Sequence, residues 1–147
     1  MAHAVVPPDF AVPFGKARVR RAGTDLTILA YGTPVHFALE AAARLEKEGH
    51  SVEVVDLRCL SPLDTEAIVR SVKKTHRLVI AHEDKVFGGF GGELAAIAAS
   101  ECFPWLDAPV TRVGSEFTPV GFNRILERAT LPNTDKVYAA AQKVLAF

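Results

Sequence analysis

At 147 residues, with 49% hydrophobic side chains, the chain is long enough to close one core without disulfides or metal. Its 17 Lys and Arg balance 17 Asp and Glu, which excludes the basic footprint of a nucleic-acid binder and the cationic face of a protein drawn to anionic membrane. Two cysteines, Cys59 and Cys102, fall in predicted buried segments without CxxC spacing, which argues against a disulfide scaffold or a zinc site and for a reducing compartment.

The start, MAHAVVPPDF, has no long apolar run and no basic leader, so no signal peptide is expected. No segment reaches the run of about 18 apolar residues that spans a membrane. A soluble protein is expected, cytoplasmic, or in the mitochondrial matrix if the source is eukaryotic. Residues 1–15 contain Pro7, Pro8 and Pro13 and read as an extended arm or linker, because proline disfavours both helix and central strand. Residues 16–147 then read as one α/β domain.

Lys16 to Arg21 alternates basic and small apolar residues and predicts an edge strand. Asp25 to Tyr31 follows as an interior strand. Thr33 stands as a helix cap with Pro34 in the first turn, and Val35, Ala38, Leu39, Ala42 and Leu45 recur at helical spacing, with Glu40 and Arg44 paired on the opposite face. Gly49 ends that helix. Val52 to Leu57 predicts a second interior strand. Pro62 then breaks the extended run, and Asp64 caps a helix over about Thr65 to Lys74.

Arg77 to Ala81 predicts a third interior strand, and about Gly92 to Cys102 a helix apolar on most sides and hence deeply buried. Pro109 to Val113 predicts a short fourth interior strand. The closing helix starts near Thr134, with Val137, Ala140, Ala141, Val144 and Leu145 on its apolar face. Strands alternating with helices predict an open, mostly parallel sheet with a mixed edge and helices on both faces, a three-layer sandwich.

The stretch RLVIAHEDKVFGGFGGE, Arg77 to Glu93, carries the most information. A strand ends in His82 and Glu83, and a turn containing Gly88, Gly89, Gly91 and Gly92 leads into a helix. Such turns bring polar groups to the ligand-facing edge of α/β sheets. No Gly-Lys-Ser or Gly-Lys-Thr follows, so the parts of a phosphate-cleaving loop are missing. Gly89 and Gly91 begin a dinucleotide fingerprint, but Leu94 stands where its third glycine belongs. The favoured reading is a turn that needs positive φ and close helix packing. The competing one is a freestanding small-anion or nucleotide-binding module using Gly88 to Gly92.

VDLRCLSPLD, from Val55 to Asp64, and HEDKVFGGFGGE, from His82 to Glu93, with the flanking segments from Val12 to Phe147, resemble the carboxyl-terminal domain of one family. It is that of the β subunits of thiamin-diphosphate-dependent 2-oxoacid dehydrogenases, the pyruvate and branched-chain group of the transketolase superfamily. The resemblance implies an open α/β sheet and a role in assembly rather than chemistry. It implies as partners an α subunit, a second β subunit and the subunit-binding domain of the acyltransferase core. It also implies that thiamin diphosphate and magnesium are held by other domains of the intact enzyme, none by this domain alone, so the isolated chain should be inactive. Pyruvate, branched-chain 2-oxoacids and acetoin stay open as parent substrates. SEFTPVGF, Ser115 to Phe122, departs from the family's pattern, since many relatives have proline at the place of Gly121.

His82 and Glu83 are candidates for the edge of an active site, where a catalytic acid or base often lies. The competing and favoured reading is structural hydrogen bonding that fixes the turn. An Arg58–carboxylate pair is expected to brace the turn before Asp64, and Asp56 to serve as a hydrogen-bond acceptor. Neither Ser61 nor Ser115 lies in a GxSxG elbow, so acyl transfer through a serine has no support. Tyr138, off the apolar seam of the last helix, and Phe147, at the chain end, are the candidate docking anchors; Phe147 could equally fold back over the core.

Overall fold

The computed structural model describes residues 10–147; Pro7 and Pro8 of the arm lie outside them. Residues 10 to 17 carry no helix or strand. In chain order follow β1 (Arg18–Arg21), β2 (Leu26–Ala30), α1 (Pro34–Glu46), β3 (Val52–Asp56), α2 (Thr65–Thr75), β4 (Leu78–Lys85), α3 (Gly91–Cys102), β5 (Thr111–Ser115), α4 (Arg124–Thr130) and α5 (Thr134–Leu145). The sheet order is β1-β3-β2-β4-β5. β1 runs antiparallel to β3, and every other neighbouring pair is parallel.

The period of two along each strand divides the core into two layers. Leu26, Ile28, Val54 and Val79 meet α1 and α5 on one face. Leu29, Val55, Leu78 and Ile80 meet α2 and α3 on the other. Strands covered on both faces need nearly continuous apolar sequence, which is how β2 reads. Two of the polar residues that interrupt the second layer find partners on α2. Thr27 shares a hydroxyl hydrogen bond of 2.7 Å with Thr75, and the carboxylate of Glu53, 1% exposed, pairs with Lys74.

From β2 the chain crosses through α1 to β3 on one side, then returns through α2, on the opposite face, to β4 on the other. The connections therefore diverge between β2 and β4, and the carboxyl ends of these two strands form the topological switch point.

Several local expectations give way to tertiary partners. Thr33 is itself helical in backbone and makes no side-chain cap, its role taken by a turn at Gly32, φ 66°. Glu40 and Arg44 do not pair. Arg44 reaches Asp135 at 2.6 Å and Glu40 accepts from Thr134 at 2.6 Å, because α5 packs across α1 and offers closer partners. The Arg58 guanidinium braces its turn through the carbonyls of Lys16 and Ala17, not a carboxylate. Asp56 accepts from the Arg58 amide at 3.1 Å.

Helix α3 is not deeply buried: Leu94, Ala98 and Cys102 face the sheet, while Ala96 and Ala99 are exposed. Its alanines are small rather than inward-facing. β4 runs four residues past Ala81, and β5 begins two residues later than predicted, since Pro109 has no amide to give a ladder. Cys59 is half-buried, and Cys102 is buried.

Asp64 does cap α2, accepting from the Ala67 amide at 3.2 Å, and it also accepts from the Ala17 amide at 3.0 Å. Burial pushes its carboxyl upward, but these amides with Lys16 and Arg70 outweigh that and hold its pKa below the ordinary carboxylate value. Its contribution is therefore full above the ordinary value and lost as pH falls through the folded one. Asp64→Ala is expected to cost about 1–2 kcal/mol in urea unfolding at neutral pH, with the difference from the parent shrinking in acid. An equal loss at all pH values would mean that the charge is irrelevant.

Candidate functional site

Strand alternation sends His82 to the α3 side of β4 and leaves Glu83 exposed. Both lie within β4 rather than at its end, which is Lys85. His82 is fully buried, and neither ring nitrogen has a hydrogen-bond partner among the described residues. Its ring stacks on Tyr31, just past β2, with centroids 6.2 Å apart and planes at 19°; Phe90 meets Tyr31 edge-on at 6.2 Å. The switch point is thus closed by an aromatic cluster of Tyr31, His82 and Phe90.

The glycines explain themselves around that ring. A Cβ at Gly91 would stand 2.2 Å from His82 Nε2, and one at Gly114 would stand 3.0 Å from His82 Cε1. Gly89 packs on the Lys85 carbonyl, where a Cβ would come within 2.2 Å. Gly88 alone of the four turns with positive φ, 75°, in open space, and a Cβ at Gly92 would lie 3.3 Å from an Arg112 nitrogen, which would have to shift slightly. The turn mostly serves close packing, with one left-handed residue. At the start of α3 the amides of Gly92 and Leu94 donate to the carbonyls of Gly89 and Phe90.

Burial holds the His82 pKa below the ordinary imidazole value; Asp84 opposes this and Arg112 reinforces it. Burial also raises the Tyr31 phenol, aided by Asp84 and Glu83. At neutral pH both rings are uncharged. The imidazole is covered on every side by its own chain. Among the described residues no three His, Cys, Asp or Glu side chains gather as a metal site.

The turn also projects an apolar surface that sequence reasoning missed. Phe87 packs edge-on against Phe117 at 4.8 Å, and Lys85 fastens their two loops by donating to the carbonyls of Glu116 and Thr118. Phe122, Ile125 and Leu126, at and just before α4, are also exposed, and α4 has no buried residue. Gly121 lets the loop close on it, since a Cβ there would lie 2.6 Å from that of Leu126. The visible signal was five large apolar residues in Phe117 to Leu126, three of which, Phe122, Ile125 and Leu126, recur at helical spacing.

Tyr138 and Phe147 lie apart from this cluster, on and just after α5. The Tyr138 hydroxyl bonds Glu48 and accepts from Gln142 at 2.7 Å, so this ring links α5 to the end of α1. Phe147 is exposed, beyond a hollow of about 320 Å³ lined by Glu48, His50, Gln142, Leu145 and Ala146.

Fold and site together define an open α/β domain whose switch point is sealed by its own side chains. A family model described as "Transketolase, C-terminal domain" matches residues 15–137, and the chain belongs to that family. It is 43% identical over 140 residues to the 2-oxoisovalerate dehydrogenase subunit beta of Bacillus subtilis (strain 168), covering 95% of this chain and 43% of that protein. It is 45% identical over 142 residues to the mitochondrial pyruvate dehydrogenase E1 component subunit beta of Caenorhabditis elegans, covering 96% of this chain and 40% of that protein. A solved structure described as a split gene transketolase, inactive beta4 tetramer, superposes with a TM-score of 0.81 at 35% identity, covering 98% of this chain and 46% of that one. The chain thus spans about two-fifths of the length of these curated relatives.

Two outcomes are expected of the cluster. Gly91→Ala should cost about 1–3 kcal/mol through overpacking, and most of that penalty should vanish in a His82→Ala background when both are measured by urea unfolding. An undiminished penalty would show that His82 is not the obstacle. A buried neutral histidine favours the native state above the ordinary pKa of about 6.5, and that contribution is lost as pH falls through it toward the folded value. The parent should therefore lose stability with a slope of up to about 1.4 kcal/mol per pH unit below pH 6.5 from this group. His82→Leu should lack this component; an identical pH profile would refute the assignment.

Proposed function

We propose that this chain is the carboxyl-terminal assembly and docking domain of the β subunit of a thiamin-diphosphate-dependent 2-oxoacid dehydrogenase. The observation that carries this reading is the apolar surface beside the sealed switch point. Phe87 is 71% and Phe117 72% exposed, a contiguous aromatic pair of the kind that marks interfaces rather than free surface. The relatives' β-subunit identity and their greater length support it. Their further length leaves room for the domains that hold thiamin diphosphate and magnesium.

In this reading the whole enzyme is an oxidoreductase that decarboxylates a 2-oxoacid and passes the acyl group to lipoyl groups. The present residues contribute no catalytic group. They bury their apolar surface against the α subunit and a second β subunit, and His82 holds the turn that presents Phe87. The opposite end, with Phe147 and the hollow beside Glu48, receives the subunit-binding domain of the acyltransferase core. Such an enzyme works in the cytoplasm of a bacterium or the mitochondrial matrix of a eukaryote.

The chain alone should show no decarboxylation. Mixed with the α chain and the amino-terminal β domain, it should form a larger species by light scattering and restore turnover. The Phe87→Asp, Phe117→Asp double variant should lose assembly while keeping the parent's circular dichroism and unfolding midpoint. A folded double variant that assembles normally would remove this surface from the interface. Deleting Phe147 should weaken binding of the subunit-binding domain without changing that assembly; unaltered binding would remove Phe147 from the docking site.

A further inference from the structure

His82 is fully buried with neither ring nitrogen bonded among the described residues, and through it two elements reach β4. Its Nε2 lies against Gly91, the first residue of α3, and its Cε1 against Gly114 of β5. Titratable and charged groups come to this site from each element packed there. Tyr31, just past β2, stacks on the ring. Asp84 on β4 favours the imidazolium, while Arg112 of β5 opposes it. Glu83 of β4 lies beside Gly32, and Lys85 at the end of β4 is turned to the carbonyls of Glu116 and Thr118. Glu93, in the first turn of α3, is exposed.

We infer that protonation of His82 acts as an acid-sensitive release, which frees the first turn of α3 with the turn that carries Phe87 and so withdraws the aromatic surface from its partners. Only that last step rests on the assembly reading. An imidazolium in this site is a buried charge without a partner, an arrangement that the surrounding packing has to relieve. The amino terminus of α3 meets the ring with the positive end of its dipole, and Arg112 adds to the repulsion. Asp84, which is exposed, is the carboxylate that receives the charge once the ring is uncovered. The helix end gives way first because few bonds hold it. The amides of Gly92 and Leu94 reach the carbonyls of Gly89 and Phe90 at 2.9 and 3.2 Å, and helix ends open at the lowest cost. The Phe87 turn follows, since Gly88 to Phe90 join it directly to α3. The ladder from Val79 and Thr111 to Ala81 and Val113 stays paired, so the opening is local.

The test follows amide exchange of the chain in nitrogen–proton spectra from about pH 7.5 to about pH 5, corrected for the intrinsic rate at each pH. The imidazole regains its ordinary pKa of about 6.5 in the opened site and is held lower in the closed one. The open fraction should therefore rise by up to about tenfold per pH unit below 6.5 and stay level above it. Protection should fall at Val86, Gly92 and Leu94, whose amides bond across the turn and the helix start, and hold at Ile28 and Ile80 in the sheet. The fall should run with the titration of the His82 ring itself, a readout that needs no variant. His82→Leu should keep its protection in acid, and Asp84→Asn should move the onset to lower pH. Mixed with the α chain and the amino-terminal β domain, the parent should dissociate over the same range by light scattering while His82→Leu stays assembled. Level protection, a loss spread over the whole sheet, or an equal loss in His82→Leu would overturn the release. Assembly that persists in acid while the turn opens would overturn its coupling to the aromatic surface. A chain that shows the exchange pattern but never assembles at neutral pH would sink the assembly reading and uphold the local release.

Discussion

The contact between the His82 ring and two glycines, Gly91 at the start of α3 and Gly114 in β5, governs this domain's ligand-facing end. A Cβ at Gly91 would overlap the imidazole, so α3 approaches β4 as closely as backbone allows. The ring fills the crevice between β2 and β4, where open α/β sheets usually admit a ligand. Because the ring is uncharged and stacked on Tyr31, the crevice is a small core rather than a pocket. Two unpartnered nitrogens are the cost, and close packing with Tyr31 and the glycines offsets it.

That sealing moves the functional surface outward. The residues between His82 and α3 hold Phe87, which meets Phe117 from the loop after β5, with Lys85 tying the two loops together. A turn that resembles a phosphate-binding loop in its glycine content thus carries an exposed aromatic side chain. The same sheet presents two separate surfaces: the aromatic group at the strands' carboxyl ends, and the Glu48 and Phe147 end of α5.

The order of strands and helices was legible because the core-forming segments obey their periods. β2 is an unbroken aliphatic run, α1 repeats every three to four residues, and Asp64 caps α2 where the proline turn ends. Other features were not legible, each for a spatial reason. Arg44 has a partner at helical spacing in sequence and a better one on α5. Thr33 has the chemistry of a cap but the wrong backbone angles. The alanines of α3 read as buried, yet a small side chain can sit at the surface at little cost. α4 escaped notice because it is short and turns no face to the core, although Phe122, Ile125, Leu126 and Ala129 recur at helical spacing.

The chain by itself determined the α/β class, the three-layer arrangement, the family and the place of the glycine turn, since these follow from local periodicity and from short motifs with few alternatives. Only the tertiary structure decided what the turn does. Whether His82 faces a ligand, a backbone group or a glycine depends on how near α3 comes to β4 and β5, a distance set by side chains far apart in sequence. The exposure of Phe87 and Phe117 is likewise a property of two loops brought together by the sheet, and no local pattern records it.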